Sequence, residues 1–130
     1  MIGKMAGLSR RHIGKHGEDI AARFLTSRGF SILHRNFATP FGEIDLVAKQ
    51  AAYIVFVEVK TRISERFGTP LSAITDAKKK HILRNCRYYL ARYNLCETPC
   101  RIDVVGINID TEGRPRVLKH VKNAITTEGY

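Results

Sequence analysis

The segment from Tyr53 to Thr61 constrains the fold of this chain more than any other part of the sequence. It is rich in Val, Ile and Phe, which are typical of a buried strand, so we expect it to be the central strand of a sheet. Side chains alternate between the two faces of a strand, which places Glu58 and Lys60 on the same face as Ile54 and Phe56. A carboxylate within an apolar strand costs several kcal/mol unless it is paired or binds a metal ion. This strand is therefore predicted to carry both the core and a charged site.

The spacing of apolar residues around this strand predicts a helix, three strands, a second helix and two further strands. The first helix begins near His16 and stops before Gly29, and Thr75 caps the long second helix. The strands are predicted at residues 30–37, 42–48, 53–61, 100–109 and 117–121. Residues 62–69 are predicted to form a loop, and a short helical turn is expected after Pro70. This order gives an α/β sandwich with a mixed central sheet flanked by helices.

The 130 residues suffice for a single domain with one core. We expect a basic, flexible leader over residues 1–15, the domain over residues 16–125 and a polar tail over residues 126–130. No apolar segment approaches the length of a membrane span, and the leader lacks the apolar region of a secretory signal, so we expect no membrane association and a cytoplasmic location. Three cysteines cannot complete a set of disulfides, so free thiols are predicted.

The chain has a strong excess of positive charge, with 22 Lys and Arg against 12 Asp and Glu and a net charge of +10. Nucleic acid is the usual partner for such an excess, because each phosphate that is neutralised releases condensed counterions; ribosomal contacts or an anionic membrane would satisfy the same arithmetic. The basic residues expected to contact phosphate lie in the loop after the central strand and at the start of the second helix: Arg62, Arg66, Lys78, Lys79 and Lys80. A solvated helix face is the alternative interpretation of the three lysines.

The second strand contributes a pair of carboxylates. Strict alternation predicts Glu43 and Asp45 on one face and Ile44 and Leu46 on the other. If the second and third strands pair through the hairpin between them, Asp45 comes near Glu58, although the sequence leaves the register open. Asp45 and Glu58 together would form a hard oxygen site suited to Mg²⁺ or Mn²⁺. The alternative is that Glu43 and Asp45 are ordinary solvent-facing positions of an amphipathic strand.

Two further residues complete the predicted site. Lys60 would lie beside the metal, where an ammonium can orient or help to deprotonate the attacking water and stabilise phosphorane charge. Glu18 shares the inward face of the first helix with Ala21 and Leu25, from which it could reach the edge of the metal site. The alternatives are a simple ion pair between Glu58 and Lys60 and a helix N-terminus stabilised by Glu18.

The order of Glu18, Asp45 and Glu58-Val59-Lys60 resembles that of the PD-(D/E)XK nuclease superfamily, and the helical Glu is similar to that of archaeal Holliday-junction resolvases. Along nearly the whole chain the sequence resembles the YraN family of bacterial proteins. The motifs that carry this resemblance are Gly17-Glu18-Asp19 with Ala21-Ala22, Gly42-Glu43-Ile44-Asp45-Leu46-Val47, Val55-Phe56-Val57-Glu58-Val59-Lys60-Thr61-Arg62, Phe67-Gly68-Thr69-Pro70 and Arg101-Ile102-Asp103-Val104-Val105.

The resemblance to the superfamily implies a restriction-endonuclease-like αβββαβ core, divalent-metal binding by Asp45 and Glu58, and a catalytic role for Lys60. It also suggests a homodimer, as in enzymes that cut both strands of a junction. The chain departs from the superfamily pattern at the PD dipeptide, where it has Ile44-Asp45.

The leading functional hypothesis is a Mg²⁺- or Mn²⁺-dependent endonuclease that hydrolyses DNA, including branched or damaged DNA. A nucleic-acid-binding module without catalysis is the first alternative, and it predicts salt-dependent binding that survives loss of Glu58. A basic protein-interaction subunit is the second.

Overall fold

The structure, a computed structural model, describes residues 10–63 and 74–126. Within these residues, two helices and five strands follow one another in the predicted order: α1 (Arg10–Ser27), β1 (Ser31–Thr39), β2 (Gly42–Gln50), β3 (Tyr53–Ile63), α2 (Asp76–Arg92), β4 (Cys100–Ile109) and β5 (Pro115–Ile125). The Thr75 side chain accepts a hydrogen bond from the Lys78 backbone N–H and caps α2, as predicted.

Two element boundaries differ from the sequence prediction. Helix α1 begins at Arg10 rather than near His16, because Ile13 extends its apolar face one turn toward the N-terminus and packs on the core. Strand β3 continues to Ile63, so the assignment of Arg62 to a loop was wrong. The strand is longer because its pairing with β4 continues as far as Ile63 and Ile109. Arg66 and the helical turn expected after Pro70 lie outside the described residues.

The five strands form one mixed sheet in the order β1-β2-β3-β4-β5. Strand β3 is central, as predicted; it pairs antiparallel with β2 and parallel with β4, and the two outer pairs are antiparallel. The parallel pair requires a crossover, which α2 supplies. The result is the predicted α/β sandwich.

Each face of the sheet has its own apolar core. The α1 side buries Leu25 with Val55 and Val57, and the α2 side buries Tyr89 with Phe56. The division of β3 into two faces therefore follows the predicted alternation. With both faces covered, a polar group can reach solvent only at the ends of the strands or at a gap between them.

Within residues 10–63 and 74–126, no helix combines the length and apolarity needed to cross a membrane. Cys86, Cys96 and Cys100 are free thiols, as predicted.

Candidate active site

A gap between β2 and β3 forms the base of the site. The ladder of paired residues between the two strands runs from the hairpin to Leu46 and Val57. One residue further along, the Asp45 side chain enters the space between the strands, where its Oδ2 accepts a hydrogen bond from the Val59 backbone N–H at 2.8 Å. A carboxylate oxygen thus takes a position that a backbone carbonyl would occupy in a continuous ladder. The Val59 N–H of the central strand therefore keeps a hydrogen-bond acceptor, and an acid is brought into the interior of the sheet.

The strict alternation predicted for β2 was wrong next to Asp45. Ile44 packs on the α2 side of the sheet, whereas Leu46 packs on the α1 side, so the two do not share a face. Glu43 accepts a hydrogen bond from Asn36. The neighbouring strand accounts for the distortion, since Asn36 has a left-handed φ of 50° and lies between the residues that pair with Leu46 and Ile44.

Asp45 and Glu58 interact electrostatically across this gap. Burial, followed by the negative charge of Glu58, raises the pKa of the Asp45 carboxyl to about 7, although the Val59 N–H opposes the shift. Two carboxylates that share a poorly solvated site raise one another's proton affinity, and a cation relieves the same repulsion. The predicted pairing of these two acids is therefore present in the structure.

Glu58 is held between two lysines. Its side chain is 12% exposed, and its Oε1 lies 3.7 Å from Lys60 Nζ and 3.5 Å from Lys78 Nζ. Lys60 follows on the same strand, whereas Lys78 comes from the first turn of α2. The ammonium groups partly neutralise the acid pair in the protein alone.

Glu18 reaches the site from α1. Asn36 Nδ2 donates hydrogen bonds to Glu18 Oε1 at 2.6 Å and to Glu43 Oε1 at 3.0 Å, so one amide links the two acids. Burial raises the pKa of Glu18 above its usual range, and the hydrogen bond from Asn36 opposes that rise. Gly17 permits the close approach of α1, because a Cβ at this position would lie 1.9 Å from the hydroxyl oxygen of Thr61 on β3.

An open cleft of about 870 Å³ joins these groups. Its lining contains six of the nine residues that the sequence analysis singled out: Glu18, Asp45, Glu58, Lys60, Arg62 and Lys78. Lys79 instead lies 4.0 Å from Asp76, and Lys80 is exposed on α2 without contributing to the lining. The ninth, Arg66, is not among the described residues.

The donor set fits a hard divalent cation held by few protein ligands. Among the described residues, no cluster of three or more His, Cys, Asp or Glu side chains is arranged to hold a metal ion. Mg²⁺, however, usually takes only one or two carboxylates from the protein and fills its other positions with water and phosphate oxygens. Asp45 and Glu58 are the two carboxylates of the site that could hold such an ion.

Asn36 is a residue of the candidate site that sequence reasoning missed. It lies in a strand and has no charge, so neither periodicity nor a charge pattern distinguishes it. The one available signal is its residue type, because asparagine adopts the left-handed conformation more readily than most residues.

Comparison with known proteins places this arrangement in a family. The profile described as Uncharacterised protein family UPF0102 matches residues 17–107, which is more than half of the chain. The chain belongs to the UPF0102 family. This is the YraN family, so the resemblance inferred from the motifs is confirmed.

Two curated UPF0102 relatives cover most of the chain. The UPF0102 protein of Symbiobacterium thermophilum is 46% identical over 106 residues, which are 82% of this chain and 90% of the relative. That of Caldicellulosiruptor saccharolyticus is 40% identical over 117 residues, which are 90% of this chain and 99% of the relative. Among solved structures, SfsA of Pyrococcus furiosus in complex with Ca²⁺ matches 88% of this chain with 14% identity and a TM-score of 0.43; the match spans 64% of the SfsA chain.

Proposed function

We propose that this UPF0102 protein is a Mg²⁺- or Mn²⁺-dependent endonuclease that hydrolyses phosphodiesters in DNA, with branched or damaged DNA as its substrate. The observation that carries the proposal is the pairing of Asp45 with Glu58 at a gap in the sheet, with Lys60 beside the same carboxylate. Two acids and a lysine in an open cleft supply the functional groups that phosphodiester hydrolysis requires.

Asp45 and Glu58 would hold the metal ion. When bound, the ion would polarise the phosphoryl oxygens and offset the negative charge that builds up on them. The Val59 N–H keeps one Asp45 oxygen in place, and the surrounding sheet restricts movement of both acids, so the site is preorganised before any substrate arrives.

Lys60 acts on the reacting groups. Its ammonium orients the attacking water and donates a hydrogen bond to the phosphate, whose negative charge increases as the water oxygen approaches phosphorus. A new P–O bond to the water oxygen forms as that water gives up a proton to solvent, the bond to one ester oxygen breaks, and the leaving oxygen takes up a proton from solvent. Glu18 reaches the cleft from α1, whereas Lys78 reaches it from α2, and Glu18 would bind the ion's outer water shell.

DNA would approach along the basic side of the cleft. Lys78 and Arg62 line it, and Lys79 and Lys80 extend the positive charge along α2. These residues would contact phosphates and position the strand without reading its sequence. A homodimer would present two such clefts, one for each strand of a duplex or junction.

Titration of Mn²⁺ by calorimetry tests the metal site. Wild-type protein should bind Mn²⁺ saturably, and the Asp45→Ala/Glu58→Ala double variant should not. Asp19→Asn is the matched control, because this acid adjoins Glu18 in sequence but pairs with Arg35 outside the cleft. Absence of binding to the wild type, with and without a short DNA duplex, would overturn the metal assignment.

Cleavage of end-labelled DNA tests the activity. Duplex, flap, four-way-junction and single-stranded forms are incubated with Mg²⁺ or Mn²⁺. At least one form should be cut, and Asp45→Asn and Lys60→Met should each reduce the rate at least about 100-fold, as expected when electrostatic stabilisation of a transition state is lost. Salt-dependent DNA binding without any cleavage that Asp45→Asn removes would favour the module without catalysis.

A further inference from the structure

An aromatic side chain stands exposed at the turn between β1 and β2, at the same end of the sheet as the cleft. Phe41 is 40% exposed, although large aromatic side chains are usually buried. The ring contacts Tyr88 edge-on at a centroid distance of 6.4 Å, and the Arg84 guanidinium carbon lies 5.3 Å from its centroid. Both partners belong to α2.

The turn that carries Phe41 is fixed against α2. The Phe41 N–H donates to Thr39 Oγ1 at 3.0 Å, and the Thr39 hydroxyl donates in turn to Asn85 Oδ1 at 2.5 Å. Gly42 follows with a φ of +143°, and a Cβ there would meet the His81 ring nitrogen at 3.2 Å. The backbone that carries the exposed ring is therefore held by the Thr39 hydrogen bonds and packs closely on α2 at Gly42, which lowers the entropy lost when a base stacks on the ring.

Exposed positive charge accompanies this ring on α2. Lys80 and Arg84 are exposed and four residues apart, which places them on one helix face, whereas Lys78, two residues before Lys80, projects from a different side of the helix to lie at Glu58. Neither Lys80 nor Arg84 forms an ion pair with an acid among the described residues. Cations next to an exposed aromatic ring are the combination with which proteins bind unpaired nucleic-acid strands.

The spacing matches a strand that passes from the cleft to the ring. Asp45 follows Phe41 by four residues along the chain, which corresponds to about 13 Å at a rise of about 3.3 Å per residue. Stacked nucleotides repeat at about 3.4 Å along a strand, so about four of them, and fewer of an extended strand, would span this distance.

We propose that Phe41, backed by Tyr88 and Arg84, is a base-stacking site for an unpaired nucleobase a few nucleotides from the scissile phosphate. This inference rests on the proposed nuclease function and deepens it, because it assigns the substrate class. A base inside an intact duplex has both faces stacked and cannot use the ring. The site therefore selects DNA with an unpaired strand next to the cleavage point, as at a flap, a junction or a damaged segment.

Tryptophan fluorescence tests the stacking directly, since the chain has no Trp. The Phe41→Trp variant should lose fluorescence when flap or single-stranded DNA is added in EDTA, and should change little with blunt duplex. Tyr53→Trp is the matched control: Tyr53 is 43% exposed, with a guanidinium 5.5 Å from its ring centroid, at the opposite end of β2. Its fluorescence should not respond to DNA.

Fluorescence anisotropy of labelled DNA measures binding itself. Phe41→Ala should weaken binding of the flap about ten-fold and leave duplex binding unchanged, and Phe41→Tyr should restore flap binding. An unchanged Phe41→Trp signal on DNA that anisotropy shows to be bound would overturn the stacking site and leave the proposed nuclease standing. Failure to bind any DNA would overturn both. Equal loss of flap and duplex affinity in Phe41→Ala would also overturn the assigned substrate class.

Discussion

The Asp45 carboxylate occupies the place of a backbone acceptor for the Val59 N–H, at a distance of 2.8 Å, one residue beyond the end of the β2–β3 ladder. This contact explains how a sheet covered on both faces can contain an acid pair. The two strands separate where the side chain enters, and the opening is the base of the cleft. The Asp45 carboxylate therefore has two functions, because it satisfies a backbone N–H of the central strand and is also a proposed metal ligand.

The raised pKa of Asp45 predicts a stability that falls with rising pH in metal-free protein. The folded state holds its proton up to about pH 7, whereas the unfolded chain releases it near its ordinary value of about 4. The folded state therefore binds more protons between these values, and stability is lost as pH rises through this window. Asp45→Asn removes the ionisable group and keeps an acceptor for Val59. In EDTA, the free energy of unfolding of Asp45→Asn minus that of wild type should be larger at pH 8 than at pH 5 by about 1–3 kcal/mol.

Urea denaturation of both proteins at the two pH values measures this difference. Asp76→Asn is the control, because the Asp76 side chain is 85% exposed at the start of α2. Its effect should be nearly equal at pH 5 and pH 8. A constant offset between Asp45→Asn and wild type across the range would contradict the prediction.

Much of the site could be predicted because it depends on local pattern. Alternation along β3 placed Glu58 and Lys60 on one face, and the turn before Tyr53 limited the register that brings Asp45 to Glu58. The position of Ile44 could not be predicted, since it depends on the left-handed conformation of Asn36 in a neighbouring strand. A distortion of this kind is produced by contacts between elements and leaves no periodic signal in either one.

The position of Lys78 could be predicted only in part for a similar reason. Its charge and its place at the start of the second helix suggested phosphate contact, but its approach to Glu58 depends on where the crossover returns α2 to the sheet. The close contact of α1 with β3 at Gly17 and Thr61 is likewise a tertiary property. A sequence pattern predicts the face of a helix or strand on which a residue lies. It predicts less well which residue of another element that residue contacts.

Gly17 and Gly14 should respond in opposite ways to substitution by alanine. Both lie in α1, where alanine is favoured over glycine by about 1 kcal/mol. A Cβ at position 17 would collide with Thr61, whereas one at position 14 would meet nothing within 4 Å. Gly17→Ala should therefore destabilise the protein by about 1–3 kcal/mol, and Gly14→Ala should stabilise it by about 0.5–1 kcal/mol. Thermal unfolding followed by circular dichroism measures both, and equal shifts in the same direction would contradict the packing described here.

Asp103 should be the most costly acid to neutralise outside the cleft. It is fully buried, accepts hydrogen bonds at 3.0 Å from Arg101 Nε and from the Asn123 N–H, and lies 2.8 Å from His120 Nε2. Arg101 lies two residues away on the same strand, so this pair forms along β4. Asp103→Asn places an amide against these donors and should cost about 3–5 kcal/mol.

Chemical denaturation measures this cost against that of breaking an exposed ion pair. Glu112→Gln removes the partner of Arg114, whose side chain is 75% exposed, and should cost no more than about 1 kcal/mol. Below its unfolding temperature, Asp103→Asn should bind Mn²⁺ as wild type does, because Asp103 does not line the cleft. Similar losses for the two variants would show that the buried network contributes little.

Lys78 should compete with the proposed metal ion for Glu58. Its Nζ lies 3.5 Å from Glu58 Oε1, so a divalent cation must share or displace this contact. Lys78→Met removes a nearby positive charge and should tighten Mn²⁺ binding in the absence of DNA about five-fold, equivalent to about 1 kcal/mol at a partly solvated site. The same variant should bind DNA less tightly than wild type does. The dependence of its DNA affinity on salt concentration should weaken by an amount equivalent to about one phosphate contact. Lys79→Met is the matched control for the metal titration, since Lys79 lies near Asp76 instead. Equal Mn²⁺ affinities for the Lys78 and Lys79 variants would mean that Glu58 does not bind the ion.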